Sequence, residues 1–147
     1  MSKIIDKITS LGYELPVVPA PIASYITATR SGNLVYTSGN LPVKDGKLVY
    51  SGKADVENGY KAAELCILNA LSAVNDFVGL DNVKKIVKIT GFVNSSEDFT
   101  EQSKVINGAS DLLVKIFGED GRHVRSAVGV AALPLGAAVE IEIIVEV

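Results

Sequence analysis

Residues 121–134 read GRHVRSAVGVAALP and carry the most informative pattern in the chain. From Val124 to Ala131 the alternation predicts a β-strand that places Arg125 on one face beside the small residues Ala127 and Gly129. A guanidinium with open space beside it can bind a carboxylate through two parallel hydrogen bonds. On the residue pattern alone, an ion pair with an acid on a neighbouring strand or subunit is the more ordinary role for such an arginine.

A second strand pattern follows closely. Residues 133–136, LPLG, form a turn signal, and residues 139–147, VEIEIIVEV, alternate apolar residues with glutamates. We therefore predict that the two strands form a hairpin. The alternation places Glu140, Glu142 and Glu146 on one face, which is most simply a solvated or interfacial surface. A one-residue change of pairing register would move every glutamate to the other face, so the relation of Glu142 to Arg125 stays open at this point.

Two amphipathic helices precede these strands. Apolar residues at alternating steps of four and three mark the first helix, which ends at Gly79, and a similar stripe marks the second, which ends at Gly118. The stripes are Val56, Tyr60, Ala63, Ile67, Ala70, Val74 and Phe77, and then Val105, Ala109, Leu112 and Ile116. Further strands are predicted near residues 25–29, 34–37, 47–50 and 83–94, and a short helix near residues 4–11.

The order β-β-β-α-β-α-β-β predicts an α+β fold, a mixed β-sheet with the two long helices packed on one face. The predicted strands are apolar enough to need cover on the other face as well, which indicates self-association. We expect residues 1–20 to form an N-terminal helix with a proline-containing extension, and residues 21–147 to form a single domain.

Composition excludes several classes of protein. The chain has 147 residues, of which 48% are hydrophobic, enough for one core. A net charge of −3 argues against a nucleic-acid partner. One cysteine and one histidine exclude an internal disulfide and a Cys- or His-based metal site. The charged N-terminus and the lack of a long apolar run lead us to expect a cytoplasmic protein with no membrane segment.

Several motifs together resemble one family. The order R-S-x-V-x-V-x-x-L-P, a short turn and then V-E-I-E resembles the closing signature of the reactive-intermediate deaminase family, called Rid or YjgF. Residues 21–25, PIASY, resemble its G-P-Y-S entry motif, and residues 34–43, LVYTSGNLPV, resemble its S-G-Q-x-P hairpin. Asn107 matches an asparagine that opens the family's second helix. The resemblance covers Pro21 to Val147, and the added N-terminal segment is similar to a longer branch that is often labelled endoribonuclease L-PSP.

This resemblance implies a fold and a reaction. Members have a chorismate-mutase-like fold and form homotrimers with sites in the clefts between subunits. They hydrolyse reactive 2-enamine or 2-imine acids to 2-keto acids and ammonia, with neither metal nor cofactor. Carried over residue by residue, Arg125 would anchor the substrate carboxylate and Glu142 would orient water. Tyr25, Ser38 and Asn107 would line the cleft, and Ala127 would leave room for a small substrate.

Each of these residues also has a purely structural interpretation. Tyr25 suits an interface, Ser38 suits the turn before Gly39, and Asn107 suits a helix surface. His123, two residues before Arg125, suits either a proton shuttle or a surface position.

The sequence also departs from the family pattern. Active members carry Cys and Glu where this chain has Ala127 and Gly129, and the entry motif reads ASYI. Three functions therefore stay open: an imine deaminase, a trimer that binds small carboxylates such as 2-keto acids without turnover, and an endoribonuclease. The absence of a His pair, a metal cluster and a basic stripe argues against the ribonuclease.

Overall fold

The structure is a computed structural model that describes residues 2–18 and 24–147. The helices are α1 (Lys3–Ser10), α2 (Val56–Val78) and α3 (Gln102–Phe117). The strands are β1 (Ala28–Ser31), β2 (Leu34–Thr37), β3 (Val43–Lys44), β4 (Lys47–Leu48), β5 (Lys85–Asn94), β6 (Val124–Val130) and β7 (Val139–Glu146). Residues 21–23 of the entry motif lie outside the described ranges.

The predicted α+β architecture is confirmed. Five strands form a mixed sheet in the order β1-β2-β7-β5-β6, and α2 and α3 pack on one face of it. Alternate residues of β7 explain the layering: Ile141, Ile143 and Val145 are buried beneath the helices, whereas Glu140, Glu142, Ile144 and Glu146 point to the other face. On that helix-free face the side chains of Val124 and Val128 are 67% and 44% exposed.

Local signals set the limits of the long helices. The Asp55 side chain caps α2 by accepting a hydrogen bond from the backbone N–H of Asn58 at 2.8 Å. Gly79, with a φ of 81°, ends the helix in a conformation that glycine adopts most readily. The predicted ends of α2 and α3 at Gly79 and Gly118 are both confirmed.

Helix α1 is joined to the body of the protein through Asp81. The Asp81 carboxylate accepts hydrogen bonds from Ser2 Oγ at 2.8 Å and from the backbone N–H groups of Lys3 and Ile4 at 3.0 Å each. These bonds satisfy N–H groups that have no partner inside the helix. The side chain of Ile8 is buried in the core on the other side of α1. No helix among the described residues is long and apolar enough to cross a membrane.

The predicted hairpin between the last two strands is wrong. Strand β6 runs parallel to β5, with Arg125 opposite Ile89, and β7 pairs with the other edge of β5, with Ile143 opposite Ile89. The connecting segment crosses the end of β5, where the Asn94 backbone N–H donates to the Ala138 carbonyl at 2.8 Å. Strand β5 is therefore paired on both edges, whereas β6 is left at the edge of the sheet.

The third predicted strand has a smaller role than expected. Strand β4 pairs only with β3, around a turn in which Asp45 and Gly46 have positive φ values of 53° and 75°. The two strands form a separate ribbon outside the main sheet.

Candidate functional site

Arg125 lies where the edge strand β6 meets helix α3. Its Nη1 donates to the hydroxyl of Ser110 at 3.0 Å, and its Nη2 donates to the backbone carbonyl of Ser103 at 3.1 Å. No ion pair links Arg125 to a carboxylate within the described parts of the protomer. Two of the five N–H donors of the guanidinium are thus used to hold it, and three are left for a ligand.

Asn107 lies on the same side of α3 as the two serines that Arg125 contacts. Ser103, Asn107 and Ser110 follow one another at spacings of four and three, which places them in one row along a helix. The helix begins at Gln102, so Asn107 lies in its second turn and does not open it as the resemblance suggested. This row places Asn107 between the two α3 positions that Arg125 contacts, in the groove where α3 packs against β6.

The space beside Arg125 is narrowed from the α3 side. The side chain of Gln102, in the first turn of α3, reaches Gly129, where an added Cβ atom would lie 2.8 Å from Gln102 Nε2 and 3.1 Å from Oγ of Ser95, although Gly129 itself is exposed. Ala127 packs against the hydrophobic core. The small side chains of β6 therefore allow α3 to pack close to the strand. The pattern of a single strand does not reveal this packing.

His123 is hydrogen bonded on both sides of its ring. Its Nε2 lies 2.9 Å from the Ser110 hydroxyl and its Nδ1 lies 2.6 Å from the carbonyl oxygen of Gly121. Burial lowers the pKa of His123 below its ordinary value of 6.5, the bond to Gly121 opposes that effect, and the charge of Arg125 lowers the pKa further. The lowered pKa favours the neutral form of the ring at pH 7.

The other predicted site residues lie elsewhere in the protomer. The Ser38 hydroxyl donates to the carbonyl of Ile26 at 2.6 Å, just beyond β2, and Tyr25 is 44% exposed before β1. Glu142 is exposed on the helix-free face of β7, opposite Thr90. Three strand spacings, roughly 14 Å, separate β2 from β6. Arg125 and Glu142 also point to opposite faces of the sheet, so one protomer does not bring them together.

Glu140 has a special environment that the sequence did not single out. Its side chain is half-buried and packs on Gly39, where an added Cβ would lie 2.5 Å from Glu140 Oε2. Burial, and then the neighbouring charge of Glu142, raise the pKa of Glu140 above its ordinary value. The glutamates of the last strand all follow the same alternation, so the strand itself did not single out Glu140. The turn at Ser38-Gly39 was the one sign in the sequence of this close contact.

No cluster of three or more His, Cys, Asp or Glu side chains that could hold a metal occurs in the described ranges. The lone Cys66 is fully buried in α2, and burial raises the pKa of its thiol. The chemistry available to the groove therefore comes from the guanidinium, the serine and asparagine side chains of α3 and the histidine.

Comparisons with known proteins agree over nearly the whole chain. Residues 16–147 match the family model described as endoribonuclease L-PSP. Protein TCP17 of Trypanosoma cruzi is 45% identical over 150 residues, covering 98% of this chain and 94% of the relative. The crystal structure of Atu1372 from Agrobacterium tumefaciens, a protein of unknown function, superposes with a TM-score of 0.92 at 44% identity, covering 98% of this chain and 92% of that one.

A more distant relative has an assigned activity in its name. The 2-iminobutanoate/2-iminopropanoate deaminase of Dermatophagoides farinae is 33% identical over 132 residues, covering 88% of this chain and 91% of the relative. The alignments to TCP17 and Atu1372 span about a tenth more of this chain than the alignment to the deaminase does.

Proposed function

The chain belongs to the endoribonuclease L-PSP family, also called Rid or YjgF, and on that premise we propose that it hydrolyses reactive 2-imino acids to 2-keto acids and ammonia. The observation that carries the proposal is the guanidinium of Arg125, which is held at the sheet edge by two hydrogen bonds while three donors stay available. A fixed guanidinium suits a substrate carboxylate. The more distant relative from Dermatophagoides farinae, which is named as a deaminase, supports this reaction.

A second copy of the chain is needed to complete this site. Arg125 points to the helix side of the sheet, and Glu140 and Glu142 point to the helix-free side. The two sides can meet only if the β6 edge of one protomer approaches the helix-free face of another. The exposed Val124, Val128 and Tyr36 supply apolar surface for that contact. This arrangement fits the homotrimer with intersubunit clefts that the sequence led us to expect.

The proposed reaction needs an anchor, a water molecule and a proton acceptor. Arg125 binds the carboxylate next to the imine carbon, water adds across the C=N bond, and the resulting carbinolamine releases ammonia to leave the 2-keto acid. The resemblance to the family implies that Glu142 orients the water. Glu140 is a second candidate, because its raised pKa makes it the stronger proton acceptor once ionised.

A carboxylate-binding protein without turnover is the alternative. Ala127 and Gly129 carry no functional group at the positions where active members have Cys and Glu, and Gln102 packs over Gly129. Under this alternative Arg125 would still bind a 2-keto acid.

The test is the release of ammonia and 2-keto acid from freshly generated 2-iminobutanoate. We expect wild type to accelerate release and Arg125→Ala to lose that acceleration. Arg122→Ala is the matched control, because its side chain is exposed and pairs with Glu119 at 3.6 Å. An assembled wild-type protein that binds 2-ketobutyrate through Arg125 but releases no ammonia would establish the binding protein instead.

A further inference from the structure

We propose that Ser110 and His123 are positioning residues that orient the guanidinium of Arg125 through a one-directional chain of hydrogen bonds. The inference rests on the proposed role of Arg125 as the carboxylate anchor. Neither residue belongs to the motifs that identify the family in this sequence. Both come from parts of the chain that pack together only in the tertiary structure: Ser110 from the middle of α3, and His123 from the residue before β6.

The direction of each hydrogen bond follows from what the groups can donate. The carbonyl oxygen of Gly121 can only accept, so the Nδ1 atom of His123, 2.6 Å away, carries the proton. In the neutral ring Nε2 is then an acceptor, and the Ser110 hydroxyl, at 2.9 Å, donates to it. The proton of that hydroxyl is thereby directed away from Arg125, and an oxygen lone pair faces Nη1 at 3.0 Å.

The second anchor holds the plane of the guanidinium. The Ser103 carbonyl accepts from Nη2 at 3.1 Å, so each terminal nitrogen has one fixed partner on α3. A planar fork held at both ends loses little freedom when it binds a carboxylate, whereas an unanchored arginine must be ordered at the moment of binding. The network therefore acts on ligand affinity through Arg125 and has no need to touch the reacting atoms.

The charged side chains on the elements next to His123 pair with other groups or face solvent, so they do not disturb this series of hydrogen bonds. Arg125 is the charge that acts on His123 from β6. On the preceding turn Glu119 and Arg122 pair with each other at 3.6 Å, and Asp120 is exposed. On α3, Lys115 is exposed, and Asp111 accepts a hydrogen bond from the Tyr60 hydroxyl at 3.0 Å.

The two serines of α3 provide a matched pair of variants. Ser110→Ala removes a side chain on which Arg125 depends, whereas Ser103→Ala keeps the backbone carbonyl that serves as the other anchor. We expect Ser110→Ala to raise the Kd for 2-ketobutyrate and the KM for 2-iminobutanoate about tenfold, as expected for the loss of one hydrogen bond to a charged group, with kcat little changed. His123→Ala should raise both constants by a smaller factor, because the Ser110 oxygen can still accept from Arg125 but its proton is no longer directed away. Ser103→Ala and Ser110→Thr should stay close to wild type, because both keep the anchoring oxygen.

A second measurement does not depend on activity. The chain has a single histidine, so ¹⁵N NMR of the imidazole reports on His123 alone. We expect the neutral ring to be protonated at Nδ1, and Ser110→Ala to shift the Nε2 resonance. A ring protonated at Nε2 would reverse the chain of donors and overturn the proposal.

The outcomes separate this inference from the function on which it rests. If Arg125→Ala abolishes ligand binding while Ser110→Ala binds as tightly as wild type, the positioning role is wrong and the carboxylate site stands. If Arg125→Ala binds 2-ketobutyrate as well as wild type, the carboxylate site is wrong. The ¹⁵N spectrum then still decides whether the hydrogen-bond chain exists.

Discussion

Replacing Gly108 by alanine should separate the two long helices and disturb the groove around Arg125. A Cβ atom at Gly108 would lie 2.1 Å from the backbone oxygen of Tyr60, more than 1 Å short of the 3.4 Å at which ordinary contact begins. A backbone oxygen cannot rotate away as a side chain can, so α2 and α3 must move apart. Overpacking of this kind costs about 3 kcal/mol, and the higher helix propensity of alanine returns about 1 kcal/mol.

The net effect is thus a loss of about 2 kcal/mol of the free energy of unfolding, equivalent to about 4–8 °C in Tm for a chain of this length. Thermal and urea unfolding followed by circular dichroism, at one fixed protomer concentration, would measure it. Because Ser103 and Ser110 belong to α3, the same shift should lengthen both anchors of Arg125 and raise the Kd for 2-ketobutyrate.

Gly59→Ala is the matched control. It introduces the same change in helix propensity, but the three atoms nearest its Cβ would all be side-chain carbons, the two methyl groups of Val105 at 2.9 Å and Ala54 Cβ at 3.4 Å. We expect Gly59→Ala to destabilise the protein less than Gly108→Ala. A Gly108→Ala protein that melts at or above the wild-type temperature would refute the argument that the close approach of the helices requires a glycine.

Three further predictions concern titratable groups. Because the pKa of Glu140 is raised, folding stability should fall as the pH rises from 4.5 through that raised value, and urea unfolding at several pH values would measure the fall. Glu140→Gln should abolish this loss of stability. Glu142→Gln should remove only part of it, since burial is the larger cause of the raised pKa. Because the pKa of His123 is lowered, folding stability should be lost as the pH falls from 6.5 through the lowered pKa of the folded protein. NMR titration should show a higher His123 pKa in Arg125→Ala, because that variant lacks the neighbouring positive charge. Asp81→Ala should speed amide hydrogen exchange in α1 and leave exchange in α2 unchanged, because the Asp81 carboxylate accepts three hydrogen bonds at the start of α1.

Patterns within one element were predictable from the sequence. The periodic apolar stripe of α2 and its end at Gly79 depend on neighbours a few residues apart, and both appear in the structure, except that Phe77 at the end of the stripe is 45% exposed. The face of β6 that carries Arg125 follows from the alternation of a single strand in the same way. The motifs at residues 34–43 and 125–142 also sufficed to identify the family.

Relations between elements were decided only by the tertiary structure. Strand β7 pairs with β5 and β2 and not with β6, because pairing is chosen by long-range contacts that a short turn signal does not encode. The same contacts bring α3 over Gly129, Gly39 under Glu140, and Ser110 between His123 and Arg125. The alternation within a strand determines which residues share a face. How the faces of neighbouring strands align depends on their register and packing. For this reason the sequence alone did not decide that Arg125 and Glu142 lie on opposite sides of the sheet in each protomer.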